Sequence, residues 1–179
     1  MAGMAKRVAT LWLVGMVLSC GVLWAAQKKL ALKTDPEETF LLQLAETAPK
    51  IDGQIDENEW RHALQIDGFS DDQRRVRGYV LATKDAFCLA IRSQLPDEGD
   101  LVVNVDRDGT SRMVFDDSIE FWFVTDPKER RGKKFQFMTN PNARRWGRVH
   151  GRGGVDGIKD WDANWETQSG MHGQDWHCE

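Results

Sequence analysis

The chain has 179 residues, a sequence isoelectric point of about 5.6 and a formal net charge of −4 at pH 7. This acidic balance argues against a nucleic-acid-binding protein, because the neutralisation of phosphates needs a basic surface. The 3 cysteines are too few for a disulfide scaffold, whereas the residues that follow the N-terminal segment suffice for one domain with its own core.

Residues 1–26 have the order of a secretory signal peptide. Lys6 and Arg7 precede an apolar run at residues 8–26, and this basic-then-apolar order is typical of exported proteins. A lipoprotein signal that ends before Cys20 and an uncleaved anchor stay open as alternatives. We therefore expect a secreted, periplasmic or cell-surface protein, which contacts a membrane only through a lipid or an uncleaved signal.

Residues 27–46 combine a charged linker with a first predicted strand at residues 40–44. The dipeptide Asp52-Gly53 then indicates a turn. Asp56, with Glu59 three residues later, has the spacing of a capping box, which predicts a short helical turn that buries Trp60.

Beyond this turn, short alternating segments divided by polar turns predict many strands and almost no helix. The predicted strands are 64–69, 75–83, 86–93, 101–105, 118–125, 134–140, 145–150, 164–169 and 176–179. This pattern predicts an all-β fold, a jelly-roll-like antiparallel β-sandwich with a short N-terminal helical turn, over residues 47–179. Because the last strand has no closing turn, we expect the sandwich to be incomplete.

The segment 116–140 predicts a hairpin with two chemically different faces. Side chains alternate across a strand, so Ile119, Phe121 and Phe123 share one face and form part of the core. The opposite face carries Glu120, Trp122, Gln136, Met138 and Asn140. A carboxylate and two amides beside a tryptophan form a surface suited to hydroxyl-rich ligands.

Several motifs along the chain together resemble the family 9 carbohydrate-binding modules and their relatives. They are I-D-G-x-I-D-x-x-x-W at 51–60, V-x-x-Y-V-L-A-T-K-D-A-F-C-L-A at 76–90, R-D-G at 107–109, D-D-S-I-E-F-W-F at 116–123, F-Q-F-x-x-N-P-N at 135–142 and W-D-A-N-W-E at 161–166. The resemblance covers residues 47–179. It implies a non-catalytic module, usually joined to polysaccharide-degrading enzymes or other large exported proteins, so further domains of the same chain are expected partners.

The resemblance also implies a carbohydrate site. Its hydrogen-bonding residues map to Glu120, Gln136 and Asn140. Where the family has a first stacking tryptophan, this chain has Phe115, and Met138 replaces a motif arginine. The second stacking tryptophan falls after the last residue of the sequence. We therefore expect weak binding or a different ligand, with Phe115 or Trp122 stacking on the sugar ring.

The segment 104–109 opens like a calcium loop, N-x-D-x-D-G, but the twelfth position is Phe115 rather than the glutamate of an EF-hand. The related modules imply structural calcium, which here could be held by Asp106, Asp108 and Asp116. The alternative is an Asx-rich turn between strands. No cofactor is required by either interpretation.

Catalysis is not expected, because Asp117 and Glu120 have opposite parity on their strand and cannot flank one glycosidic bond. Two other functions stay open. One is a structural or docking sandwich within a larger exported protein. The other is a b-type haem-binding sandwich, for which the available ligands are Met113, Met138, His150 and His172.

Two further features have alternative interpretations. The basic segment 144–152 is either a solvated strand or a contact to an anionic glycan. Cys88 lies in an apolar strand and is interpreted as a small core residue. A disulfide between Cys88 and Cys178 is the alternative in an oxidising compartment.

Overall fold

The computed structural model describes residues 42–70, 72–97, 100–124, 133–151, 158–160 and 163–179. The predicted signal peptide, Cys20 and the linker up to residue 41 lie outside these described residues. No helix in the described ranges is both long enough and apolar enough to span a membrane.

The described residues form two antiparallel sheets, which confirms the all-β prediction. The first sheet has the order β1-β2-β3-β9-β8 and the second the order β4-β5-β6-β7. The strands are β1 (Leu64–Phe69), β2 (Arg75–Ala82), β3 (Phe87–Gln94), β4 (Ile119–Val124), β5 (Lys134–Thr139), β6 (Arg145–His150), β7 (Ile158–Asp160), β8 (Ser169–His172) and β9 (Asp175–Cys178). A short 3₁₀ helix, Ser111–Phe115, precedes β4.

An apolar cluster joins the two sheets. Its buried members are Val76, Ile91, Trp176 and Cys178 from the first sheet and Ile119 from the second, with Phe121 packed against them. Phe123 of β4 extends this contact by meeting Phe87 of β3 edge-to-face, at 5.6 Å between ring centroids. The predicted apolar face of the hairpin is therefore the face of the second sheet that packs against the first.

The other face of the first sheet is covered by the segment before β1. Ile55 and Trp60 of this segment pack on a buried cluster that includes Tyr79, Leu81 and Cys88. Cys88 and Cys178 are both free thiols, and they belong to the clusters on opposite faces of the sheet. Each cysteine is thus a small core residue, as the sequence favours for Cys88, and the disulfide alternative is not formed.

Glu179 fastens this covering segment to the first sheet. Its carboxylate accepts hydrogen bonds from the backbone N–H groups of Asp52 and Gly53, at 3.0 and 2.8 Å, and from Nε1 of Trp60 at 2.9 Å. The predicted Asp52-Gly53 turn is present, and Gly53 has φ +82°, a conformation that favours glycine. The motif at 51–60 therefore serves to dock the segment onto β9.

The predicted helical turn after Asp56 does not develop into a helix. Oδ1 of Asp56 accepts from the backbone N–H groups of Asn58 and Glu59, as an N-cap would, and the chain turns once. Glu59 does not reach back to Asp56, because its carboxylate accepts from the N–H of Lys50 at 3.1 Å. The capping geometry is present without the helix that it predicts.

Residues 101–105 are not a strand, contrary to the prediction. Their backbone N–H groups pair with side chains: Val102 N–H donates to Asp117, and the N–H groups of Asn104 and Val105 donate to Asp116. Because the carboxylates take the place of a partner strand, the segment is extended without belonging to a sheet.

Three further boundaries differ from the prediction. The strand expected at 164–169 begins only at Ser169, where β8 pairs with β9. The strand β7 was not predicted, and it pairs with β6. From the first predicted strand, Leu44 alone pairs in the described residues, through an isolated parallel bridge to Ala82.

Candidate functional site

The register of the second sheet brings Glu120 and Gln136 onto one face, opposite the core. Trp122 of β4 lies beside Gln136 of β5, which in turn lies beside Arg148 of β6. His150 follows Arg148 on the same face of β6, because side chains two residues apart share a face. The alternation of side chains therefore predicts correctly that Glu120 and Gln136 share a face, and in the structure the two side chains are in contact.

Four side chains on this face form what we call the polar patch: Glu120, Trp122, Gln136 and His150. Oε2 of Glu120 accepts from Nε1 of Trp122 at 3.0 Å and from Nε2 of Gln136 at 3.2 Å. The amide oxygen of Gln136 accepts from Nε2 of His150 at 2.9 Å. The rings of Trp122 and His150 lie 4.9 Å apart, so the carboxylate, amide and two rings form one continuous surface.

The electrostatics of the polar patch favour a neutral imidazole. Burial lowers the pKa of His150 below its usual value, and the positive charges of Arg148 and Lys134 act in the same direction. A neutral His150 carries its proton on Nε2, which donates to Gln136. The four side chains of the polar patch thus present one carboxylate beside neutral donors and acceptors, which suits hydroxyl groups, and Arg148 lies on the same face beside Gln136.

Asn140 does not join the polar patch, in contrast to the prediction. The side chain is fully buried, and its Nδ2 donates to the backbone oxygen of Val105 and to Oδ2 of Asp116, both at 2.9 Å. Its Oδ1 accepts from the N–H groups of Asn142 and Arg144. Two donor hydrogens and two lone pairs are all that an amide offers, so Asn140 has no capacity for a sugar and instead anchors a loop.

Phe115 lies apart from the other predicted sugar residues. It ends the 3₁₀ helix and is 63% exposed. Together with Arg107 and Arg112 it lines an open cavity of about 540 Å³, which we call the loop groove; its other lining residues are Asn104, Val105, Asp106 and Thr110. Trp122 is therefore the aromatic residue of the polar patch, and Phe115 belongs to the loop groove.

The loop groove and the polar patch lie on the same side of the second sheet. Val105 and Met113 of the loop pack against Met138 and Trp146 in a buried cluster. Met138 shares the face of Gln136 on β5, as the register with Glu120 requires. The loop therefore covers one half of this face and leaves the half with the polar patch partly exposed.

Two of the three acids of the predicted calcium loop, Asp116 and Asp108, have other partners. Asp116 uses both carboxylate oxygens to accept from Asn104, Val105 and Asn140, and Asp108 accepts from the N–H of Arg145 and forms an ion pair with its guanidinium. Over the described ranges, no group of three His, Cys, Asp or Glu side chains is arranged to hold a metal ion. Asp106 lines the loop groove.

The candidate haem ligands are separated in the structure. Met113 and Met138 are fully buried in the cluster under the loop. His150 belongs to the polar patch, whereas His172 lies on the first sheet, where it hydrogen-bonds the backbone oxygen of Gly53 and stacks on His177 at 4.6 Å. The two methionines therefore act as packing residues here.

Comparison with known proteins does not identify a family for this chain. Protein-family models, curated proteins and solved structures gave no match to this chain. The resemblance to family 9 modules stays a prediction from the motifs, and the function must be argued from the polar patch and the loop groove.

Sequence reasoning missed His150 as a member of the polar patch. Its signal was its parity with Trp146 and Arg148 on one strand. That parity indicates a shared surface only once the register is known, because the pairing of His150 with Lys134 places His150 beyond Gln136 on the same face.

Proposed function

We propose that this chain is an exported, non-catalytic carbohydrate-binding module similar to family 9, and that the polar patch holds the sugar. The observation that carries the proposal is the half-buried carboxylate of Glu120, held by Nε1 of Trp122 and Nε2 of Gln136. These donors fix the carboxylate and orient the indole before a ligand arrives. Such preorganisation lowers the entropy lost on binding.

Each group of the polar patch has a role in sugar recognition. A carboxylate offers about four lone-pair directions, and the two observed bonds of Glu120 both go to Oε2, which leaves acceptor capacity for sugar hydroxyls. Two such bonds would contribute roughly 3–6 kcal/mol. Covering half of the Trp122 indole would add roughly 2–3 kcal/mol. Since association costs at least about 4 kcal/mol, we expect dissociation constants of about a millimolar or weaker.

The arrangement of the carboxylates supports binding rather than hydrolysis. Asp117, the acid nearest to Glu120 in sequence, is buried on the opposite side, where it accepts from the N–H of Val102 and lies 3.8 Å from a guanidinium nitrogen of Arg74. A glycosidase needs two carboxyl groups on either side of one bond. The pair Asp117 and Glu120 does not meet that requirement.

Substitution of Glu120 tests the proposal. The wild-type protein is screened on a glycan array with calcium and then with chelator, and its ligands are confirmed by NMR titration. Glu120→Ala and Glu120→Gln should lose at least about tenfold in affinity, since each charged hydrogen bond contributes about 1.5 kcal/mol or more. Asp67→Ala is the matched control, because Asp67 is an exposed acid of the first sheet, paired with Arg77.

A glycan bound equally well by wild type and both Glu120 variants would refute the proposed site. Loss of binding on chelation would instead favour a calcium-dependent site. A folded wild-type protein that binds no glycan would favour the second candidate, a structural or docking sandwich for further domains of the same chain. The specific observation that favours this candidate concerns Asn140. This residue matches a sugar-binding position of the family, but its amide hydrogen-bonds to Val105 and Asp116 instead. A Soret band in the purified protein would support the haem alternative.

A further inference from the structure

We propose that the loop groove is a second subsite, which binds a uronic acid residue of the glycan held by the polar patch. This inference rests on the proposed function and narrows it to acidic polysaccharides. The carrying observation is the meeting of Arg107, Arg112 and the exposed ring of Phe115 around one cavity of about 540 Å³.

The side chains of the loop groove match the groups of an acidic sugar. Arg107 and Arg112 are exposed, and across the part of the chain that the structure describes neither guanidinium forms an ion pair. Guanidinium groups recognise carboxylates with two parallel N–H bonds. Phe115 offers a flat apolar surface for the face of a sugar ring. The only carboxylate lining the described cavity is that of Asp106, so positive charge prevails.

The walls of the loop groove are held in place from below. Asp116, next to Phe115, accepts from the N–H groups of Asn104 and Val105, and Asn140 donates to both Asp116 and the backbone of Val105. Met113, between Arg112 and Val114 in the same 3₁₀ helix, is fully buried. Binding would therefore require little ordering of the backbone, which favours affinity.

The two sites can belong to one extended ligand. The loop packs on the face of the second sheet that carries the polar patch, through Met138 and Trp146. Gln136 of β5 and Asn140, which directly follows β5, are four residues apart, or about 13 Å at roughly 3.3 Å per residue of extended chain. Gln136 lies in the polar patch, and Asn140 holds the loop, so a short oligosaccharide could reach both sites.

The test uses oligosaccharides that differ only in charge. Oligomers of glucuronate, galacturonate and mannuronate are each compared with their carboxyl-reduced counterparts by NMR titration at low and at high salt. The variants are the double substitution Arg107→Gln with Arg112→Gln, and Glu120→Ala. Arg75→Gln is the matched control, since Arg75 is an exposed arginine of the first sheet.

We expect at least one acidic oligomer to bind about tenfold tighter than its reduced counterpart at low salt, and this preference to shrink at high salt. The double arginine variant should lose the preference while it keeps its affinity for the reduced oligomer. Arg75→Gln should change neither affinity.

Three outcomes separate the inference from the proposed function. Equal binding of acidic and reduced oligomers, with dependence on Glu120, would overturn the loop groove subsite and leave the polar patch intact. A charge preference that survives the double arginine variant would also overturn it. Absence of binding to every oligomer, by a protein that binds another glycan of the array through Glu120, would overturn the inference alone, whereas absence of binding to every glycan of the array as well would overturn the proposed function and this inference together.

Discussion

Asn140→Ala should destabilise the protein strongly, because the side chain anchors the loop rather than a ligand. The amide makes four hydrogen bonds, two of them to backbone N–H groups, one to the oxygen of Val105 and one to the buried carboxylate of Asp116. Each buried polar group that loses its hydrogen-bond partner costs about 1–3 kcal/mol of stability, and Asn140→Ala removes the partner of several such groups. Allowing for relaxation and water entry, we expect a loss of about 3–5 kcal/mol.

The assay is urea unfolding followed by tryptophan fluorescence, with the free energy of unfolding extrapolated to water. Asn142→Ala is the matched control, since the residue is exposed and contributes its backbone N–H, which the substitution retains. Asn140→Asp should be worse than alanine at neutral pH, because it places a second carboxylate beside Asp116, and it should recover partly in acid. An alanine variant within about 0.5 kcal/mol of wild type that nevertheless loses sugar binding would refute this reasoning.

Three further predictions concern the first sheet. Gly53→Ala should lower the free energy of unfolding in urea by at least about 2 kcal/mol, because φ is +82° and a Cβ would lie 2.7 Å from the backbone of β8. Gly68→Ala is the control and should be nearly neutral, since a Cβ there would meet open space. Burial lowers the pKa of His177 from 6.5 to about 4, so the folded state is fully stable with respect to this group above pH 6.5, where the imidazole is neutral in both the folded and the unfolded chain. As the pH falls from 6.5 to 4, the unfolded chain takes up a proton that the folded protein resists, and wild type should lose up to roughly 3 kcal/mol of stability. His177→Gln should lack this loss. Burial raises the pKa of Cys178 to about 12, so this thiol should resist alkylation at pH 8 until urea unfolds the protein, and rapid native-state labelling would contradict its burial.

The polar patch illustrates what strand parity can and cannot predict. Period-two alternation separates Glu120 and Trp122 from the apolar side chains of β4, and the structure bears this out. The same reasoning assigns Asn140 to that face, where its amide meets Val105 and Asp116 of the loop that covers part of the face. Parity thus predicts the face that a side chain takes, but it does not predict what covers that face.

The loop groove could not be predicted from the sequence, for a different reason. The alternating residues at 101–105 predict a strand, and the backbone there is indeed hydrogen-bonded, but to the carboxylates of Asp116 and Asp117. The alternation of side chains within a segment predicts that the segment is extended and half-buried. It does not predict whether the backbone of the segment will hydrogen-bond to another strand or to side chains from residues further along the chain.

By itself the sequence determined the all-β fold, most of the strands and the two faces of the β4–β5 hairpin, because the alternation of side chains is a local property of extended backbone. Only the tertiary structure decided which polar residues meet. Strand register adds His150 to Glu120 and Gln136, and loop packing buries Asn140 while it exposes Phe115. These choices depend on contacts between residues distant in the chain, and no periodicity within one segment encodes them.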